Sequence, residues 1–341
     1  MPTTITHSIG SGGGRDYSTL QAWEDACPVD LTAVDEIWRG EAYNDSEFYS
    51  ASAVVLTISG TTTDSTRYLH LTAASGQSFQ DNANVRTNLL AYNQANGVGV
   101  RTDTSYAANP ITNAVAFTRI ERLQVKCQTQ GQTISGSGGT RTDVRNCFLQ
   151  NDNVPRCLYQ LGSGSLVINC VCYVNNVNTP DAAITGFYGL TVLGCTVVRN
   201  PSFTAGGTGV AASSGNFVES TAIFGFTTPL TNNSGSTNNA TDAASGAGAS
   251  SQTSVTFNAT TPFVQAGASG TDLRAVAATA LAGNGVLDGT NAPTDISLFT
   301  RPASPTIGAW QLSGAVTRGL FLPGLLNGDG VGGSFFRNPV G

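Results

Sequence analysis

Apolar and polar positions along this chain recur in short alternating runs set at a fixed interval. Val144-Arg145-Asn146-Cys147, Val167-Ile168-Asn169-Cys170 and Val192-Leu193-Gly194-Cys195 share one template, with Ile120-Glu121-Arg122-Leu123 before them and Val218-Glu219-Ser220-Thr221 after. Successive copies start 24, 23, 25 and 26 residues apart. A period in the twenties is the length of one solenoid coil, which buries its apolar face only by stacking on its neighbours. The template predicts one short strand per coil, over 117–125, 144–149, 166–174, 190–198 and 217–226. Asn151, Asn175 and Asn200 follow the strands at steps of 24 and 25. Asparagine accepts the left-handed backbone of a sharp turn and bonds to its neighbours, so this spacing predicts an asparagine turn ladder. Upstream, 54–58 and 68–72 alternate as strands joined by a turn at 60–64. Asp16 to Ala26 reads as a helix with Leu20, Trp23 and Ala26 or Cys27 on one face and Asp16 or Ser18 as its cap. Such a helix suits the open end of the first coil.

Leu123, Cys147, Cys170 and Cys195 fall on one template position and are expected to stack inward as a core ladder. A thiol there is a small hydrophobe filling a narrow interior. The chain has seven cysteines and two histidines, with no C-x-x-C pair. That spacing does not suit zinc, and no metal or cofactor is expected.

Charged residues make up 11% of the 341 positions, against roughly 25% in an average soluble domain. Amides and hydroxyls therefore supply most of the polar surface. With Lys126 as its one lysine and a net charge of −6, the chain has no basic tract for phosphates, and nucleic-acid binding is not expected. No run of 18 apolar residues is long enough for a membrane span. Met1 to His7 lacks the charged and apolar regions of a secretory signal, so synthesis in the host cytoplasm without a signal peptide is expected. Asp143, Asp152, Glu219, Arg145 and Arg199 read as solvated positions on outer strand faces. Residues 236–244 read as a degenerate coil rich in small side chains.

Three segments carry a resemblance. Gly10 to Trp23, with Asp16-Tyr17-Ser18-Thr19-Leu20 at its centre, resembles the opening cap of single-stranded right-handed parallel β-helix proteins of the pectate-lyase-like family. Pro262-Phe263-Val264, Asp272-Leu273-Arg274 and Ala282-Gly283-Asn284-Gly285 are similar to their closing pattern. Asp295, Arg301-Pro302 and Pro305-Thr306-Ile307-Gly308-Ala309-Trp310 extend the match. The resemblance covers roughly 10–310. It implies an all-β, right-handed parallel β-helix solenoid with an N-terminal capping helix and an extended C-terminal tail. The expected division is a lead-in and capping helix over 1–50, the β-helix over 51–312 and a Gly-rich apolar tail over 313–341.

The family's pectin hydrolases carry Asp-Asp, Gly-His-Gly and Arg-Ile-Lys motifs, and this sequence has none of them. No catalytic residue is nominated. The resemblance then implies a non-enzymatic structural protein of a bacteriophage virion, a capsid decoration or a head or tail spike. The alternative is a carbohydrate-active β-helix enzyme, a lyase or hydrolase carried on a virion. In the tail, Leu320, Phe321, Leu322, Leu325, Leu326, Phe335 and Phe336 are set among glycines and form the expected docking element. The partners it implies are capsid, portal or tail proteins and sister subunits of a homo-oligomer, with a surface glycan as a further candidate.

Overall fold

A computed structural model of the chain describes residues 1–51, 53–81, 88–103, 108–128, 130–137, 139, 141–154, 156–175, 182–215, 217–231, 235–267, 271–276 and 279–312. The fold is a right-handed parallel β-helix with three long sheets. The first sheet has eight strands, from Thr3–Ile9 through Glu36–Ala42, Leu69–Ala73 and Thr118–Glu121 to Phe217–Glu219. The second has seven, from Leu56–Ile58 to Thr228–Leu230, and the third has eight, from Phe48–Ser50 to Ala240–Thr241. Every pairing within these sheets is parallel, with Val144 opposite Ile120 on one side and Val167 on the other. Inward side chains from all three sheets, among them Ile120, Val144, Leu149, Val167, Ile184 and Val197, meet in one continuous core.

Each template copy makes two strands, not the single strand expected. Thr142–Arg145 lies in the first sheet and Phe148–Asn151 in the third. Between them Asn146 takes a left-handed backbone, φ 52°, and turns the chain from one sheet to the next. Arg122, Asn169, Gly194, Ser220 and Asn238 do the same in their own coils, with φ between 51° and 64°. A one-residue corner keeps the hydrophobic alternation in phase across the bend, so periodicity alone reads it as one strand.

The left-handed corner is thus not at Asn151, Asn175 and Asn200, as the spacing suggested. Asn175 and Asn200 are nonetheless stacked, the Asn200 amide donating to Asn175 Oδ1 at 2.7 Å. Asn151 is one residue out of step: it pairs with Val174, and Asp152 takes the place beside Asn175.

Strand pairing begins at Thr3, within the segment read as lead-in. The helix there is shorter than expected, Leu20–Asp25, and its cap is Thr19, whose hydroxyl accepts from the Ala22 amide. Asp16 instead accepts from the backbone and hydroxyl of Ser8. A second short helix, Leu31–Val34, follows with Asp30 as its cap. Trp23 is fully buried, and a side chain at Gly40 would strike its indole at 2.6 Å. This close approach seats the helix against the first coils. The strands at Leu56–Ile58 and Leu69–Ala73 lie in different sheets, so the turn between them is a solenoid corner.

Beyond the last coil the chain returns along the outside. Phe263, Leu273, Leu281, Ile296, Ile307 and Trp310 pack on Phe148, Tyr173, Val198 and Phe224, the outward side chains of the third sheet. Phe263–Gln265 and Asp272–Ala275 form a small antiparallel pair within this flank. Its far end reaches early coils, where Leu273 donates to the Leu90 carbonyl at 3.2 Å.

Candidate functional site

The structure brings the four ladder residues into one buried column. Phe148 N–H donates to the Leu123 carbonyl, Val171 to that of Cys147 and Thr196 to that of Cys170, at 2.8 to 3.0 Å. The thiols of Cys147, Cys170 and Cys195 donate back to the carbonyls of Arg145, Ile168 and Leu193 at 3.2 to 3.3 Å. All four side chains have no exposed surface, and the cysteines are free thiols. Burial pushes the Cys170 thiol well above its ordinary range. Sulfurs enclosed without access to solvent are poorly placed to react, so the column serves packing. The docking residues Leu320, Phe321, Leu322, Leu325, Leu326, Phe335 and Phe336 lie outside the described residues.

Motif residues of the closing pattern hold the flank in place. Arg301 is 4% exposed and donates to the carbonyls of Thr294, Thr306 and Gly308 and to Asn169 Oδ1, at 2.8 to 3.2 Å. It enters the space left by the missing side chain of Gly194, where a Cβ would come within 2.9 Å of Nη2. Asp295 is fully buried and accepts from Ser297, Phe299 and Gln311. Asp272 accepts from Leu90 N–H and from the Arg274 guanidinium. These acids and arginines are fasteners.

No protein-family model, curated protein or solved structure matches this chain.

The best candidate is on the outer face of the first sheet. Two columns of side chains stand there in register: Arg39, His70, Arg119 and Asp143 in one, Glu41, Thr72, Glu121 and Arg145 in the other. Most charges are paired. His70 Nε2 meets Glu121 Oε1 at 2.6 Å, Arg39 meets Glu41 at 2.9 Å, and Asp143 lies between Arg141 at 3.1 Å and Arg145 at 3.6 Å. Burial works against the Glu121 carboxylate, yet the His70 bond and the charges of His70, Arg119 and Arg145 outweigh it and hold the group below its ordinary value. Beside this array lies a small, half-open cleft of about 60 Å³, lined by Ser65, Tyr68, Phe117, Arg119, Arg141 and Asp143. The Arg119 guanidinium stands over the Tyr68 ring at 4.9 Å and that of Arg141 over Phe117 at 5.9 Å.

Asp143 is 6% exposed and Arg199 is 1% exposed, so neither is a solvated outer position. Arg199 donates to the Gly206 carbonyl, and burial lowers its pKa. Sequence spacing does not mark the cleft, because Tyr68 and Arg119 are 51 positions apart, across a coil twice the regular length. The signal available was the pair Arg119-Ile120-Glu121 and Asp143-Val144-Arg145, where charge flanks the same template position in consecutive coils.

Proposed function

We propose that this chain is a non-enzymatic structural protein of a bacteriophage virion, a decoration or spike, that docks to the particle or a sister subunit through the tail residues from Leu320 to Phe336. The observation that carries the reading is the use made of its acids. Asp143 is held by two arginines, Glu121 by His70, Asp152 by Lys126 at 2.9 Å, and Asp272 by Arg274. Carboxylates neutralised in this way stiffen a rod and are poor general acids or bases, which need an accessible proton and a tuned pKa. The missing hydrolase motifs point the same way. Immunolabelling of particles released from the cells that encode the chain is the test. Labelled particles with the full chain, and unlabelled ones when it ends after Leu312, are expected. Recovery of both forms only as free protein would overturn the reading.

One arrangement favours the alternative, a carbohydrate-active enzyme. Glu219 and Asp288 line a small recess above Arg301. Burial and the charge of Asp288 raise Glu219, while Asp288, despite burial, is held low by the Asn291 side chain and the amides of Asn291 and Thr290. Two carboxyls driven apart in this sense are what an acid and base pair requires. Under this reading Glu219→Gln abolishes cleavage of a capsular or cell-wall polysaccharide that the natural chain degrades; absence of any cleavage by the natural chain would remove it.

A further inference from the structure

We propose that the open edge of Thr3–Ile9 joins two copies of this chain head to head, their edge strands pairing antiparallel about a two-fold axis at Ile5. The inference goes beyond the virion reading and does not involve the tail residues.

Thr3–Ile9 ends the first sheet and is bonded along one side only, to Glu36–Ala42. Thr3 N–H donates to the Asp35 carbonyl at 2.9 Å and the Ile9 carbonyl accepts from Tyr43 N–H, so the odd positions face that neighbour. Thr4, Thr6 and Ser8 direct their N–H and carbonyl groups the other way. Ser8 is closed off, because its N–H donates to Asp16 at 2.7 Å and its carbonyl accepts from Tyr17 N–H at 3.1 Å. Among the described residues nothing bonds to the outward backbone groups of Thr4 and Thr6, and both residues are exposed.

The same end of the molecule protects its other edges. In the second sheet, Gln21 of the capping helix accepts from Thr57 N–H at 2.8 Å and donates to the Thr57 carbonyl at 3.2 Å, while Glu24 accepts from Ser59 N–H at 2.7 Å. The third sheet ends in Phe48–Ser50, three residues long. Covering an edge strand and keeping it very short are both defences against pairing with another chain. The stretch from Thr3 to Thr6 has neither, carries no charged side chain, and is built of β-branched residues that favour a strand. Such an edge is a template for an incoming strand.

A second copy is the strand that fits. Pro2 has no N–H to give and Ser8 is already satisfied, so the open groups are those of Thr4 and Thr6. A two-fold axis at Ile5 sets Thr4 of each copy opposite Thr6 of the other. Each such pair exchanges two hydrogen bonds, and the four bonds satisfy every open group on both strands. Threonines then pair across the outer face, while the two Ile5 side chains, each packed on the core cluster of its own chain, meet on the inner face. Arg39, which lies beside Thr6, is already paired with Glu41, so no unmatched charge enters the contact.

The test is sedimentation of the full chain across a range of concentrations, with cysteine cross-linking by oxidised glutathione. A dimer is expected. Combining Thr4→Lys with Thr6→Lys sets like charges opposite each other on the outer face and touches no bond to Glu36–Ala42. It should weaken association about tenfold or more while the circular dichroism spectrum is retained. Ile5→Cys places two thiols across a pair with Cα atoms about 4.5 Å apart, within disulfide reach, and should cross-link above the background of the natural chain. Thr4→Cys, though more exposed, lies on the diagonal at about 7–8 Å and should not. A chain that sediments as a single copy, or in any odd number, would overturn the proposal. So would equal cross-linking at the two positions, none in a folded Ile5→Cys protein, or undiminished association in the folded double lysine variant.

Discussion

A single backbone angle decides each corner between the first and third sheets, and the residues that supply it are chemically diverse. Arg122, Asn146, Asn169, Gly194 and Ser220 all sit near φ 51–64°. Glycine is used at 194, where Arg301 fills the space a side chain would need. Gly194→Ala should therefore be destabilising twice, through a left-handed Cβ worth roughly 1–2 kcal/mol and through displacement of the guanidinium. A denaturant midpoint well below that of the natural protein is the expected reading. At the template position after the corner, Cys170 is packed between Cys147 and Cys195 with no exposed surface. Cys170→Ala removes a small buried group and should lower stability by about 1 kcal/mol or somewhat more, as urea unfolding would measure.

At the scale of the element, the first sheet is held on its outside by ion pairs and the third by a strap. Glu121 is the clearest titrating member of the first. Its carboxyl is lower in the folded chain than in the unfolded one, so its contribution is present above the unfolded value, about 4.3. That contribution is lost as the pH falls through the folded value. Melting temperature should drop more steeply below pH 4.3 in the natural protein than in Glu121→Gln, and equal slopes would contradict this assignment. The strap depends on Arg301. Arg301→Ala leaves Asn169 Oδ1 and several buried carbonyls without a donor, a defect costing on the order of 3–5 kcal/mol. Arg301→Lys should recover little, because one ammonium cannot span acceptors on both the strap and the corner. Limited proteolysis within 255–312 would report release of the strap.

For the whole molecule, the returning flank closes a face that the solenoid cannot close itself. Phe148, Tyr173, Val198 and Phe224 point away from the interior, yet none is more than 1% exposed because Phe263, Leu273, Leu281, Ile296, Ile307 and Trp310 lie over them. A chain ending after residue 254 should expose these side chains, each worth roughly 1.5–3 kcal/mol of burial. It is expected to bind a hydrophobic dye and aggregate. Ending the chain after Leu312 should leave the melting transition unchanged, since Trp310 and Gln311 are already fixed in the flank through Asp295 and the third-sheet cluster. If the two truncations behaved alike, the strap would not be what completes the fold.

What the sequence by itself determined is the part of the molecule that repeats. The β-helix follows from Ile120, Val144, Val167, Val192 and Val218, because an inward position must recur each time the chain passes the same side of the core. The ladder of Leu123 and three cysteines is local in the same sense, since each member touches the equivalent residue one coil away. Only the tertiary structure decided how each run divides at its left-handed residue, because a corner that preserves alternation leaves no mark in periodicity. It likewise decided that Arg199 and Asp143 are buried, that Arg301 grips Asn169 from 132 residues away, and that Tyr68 lies beneath Arg119. Those contacts join parts of the chain in different registers, and their geometry exists only after the coils have stacked and the flank has folded back upon them.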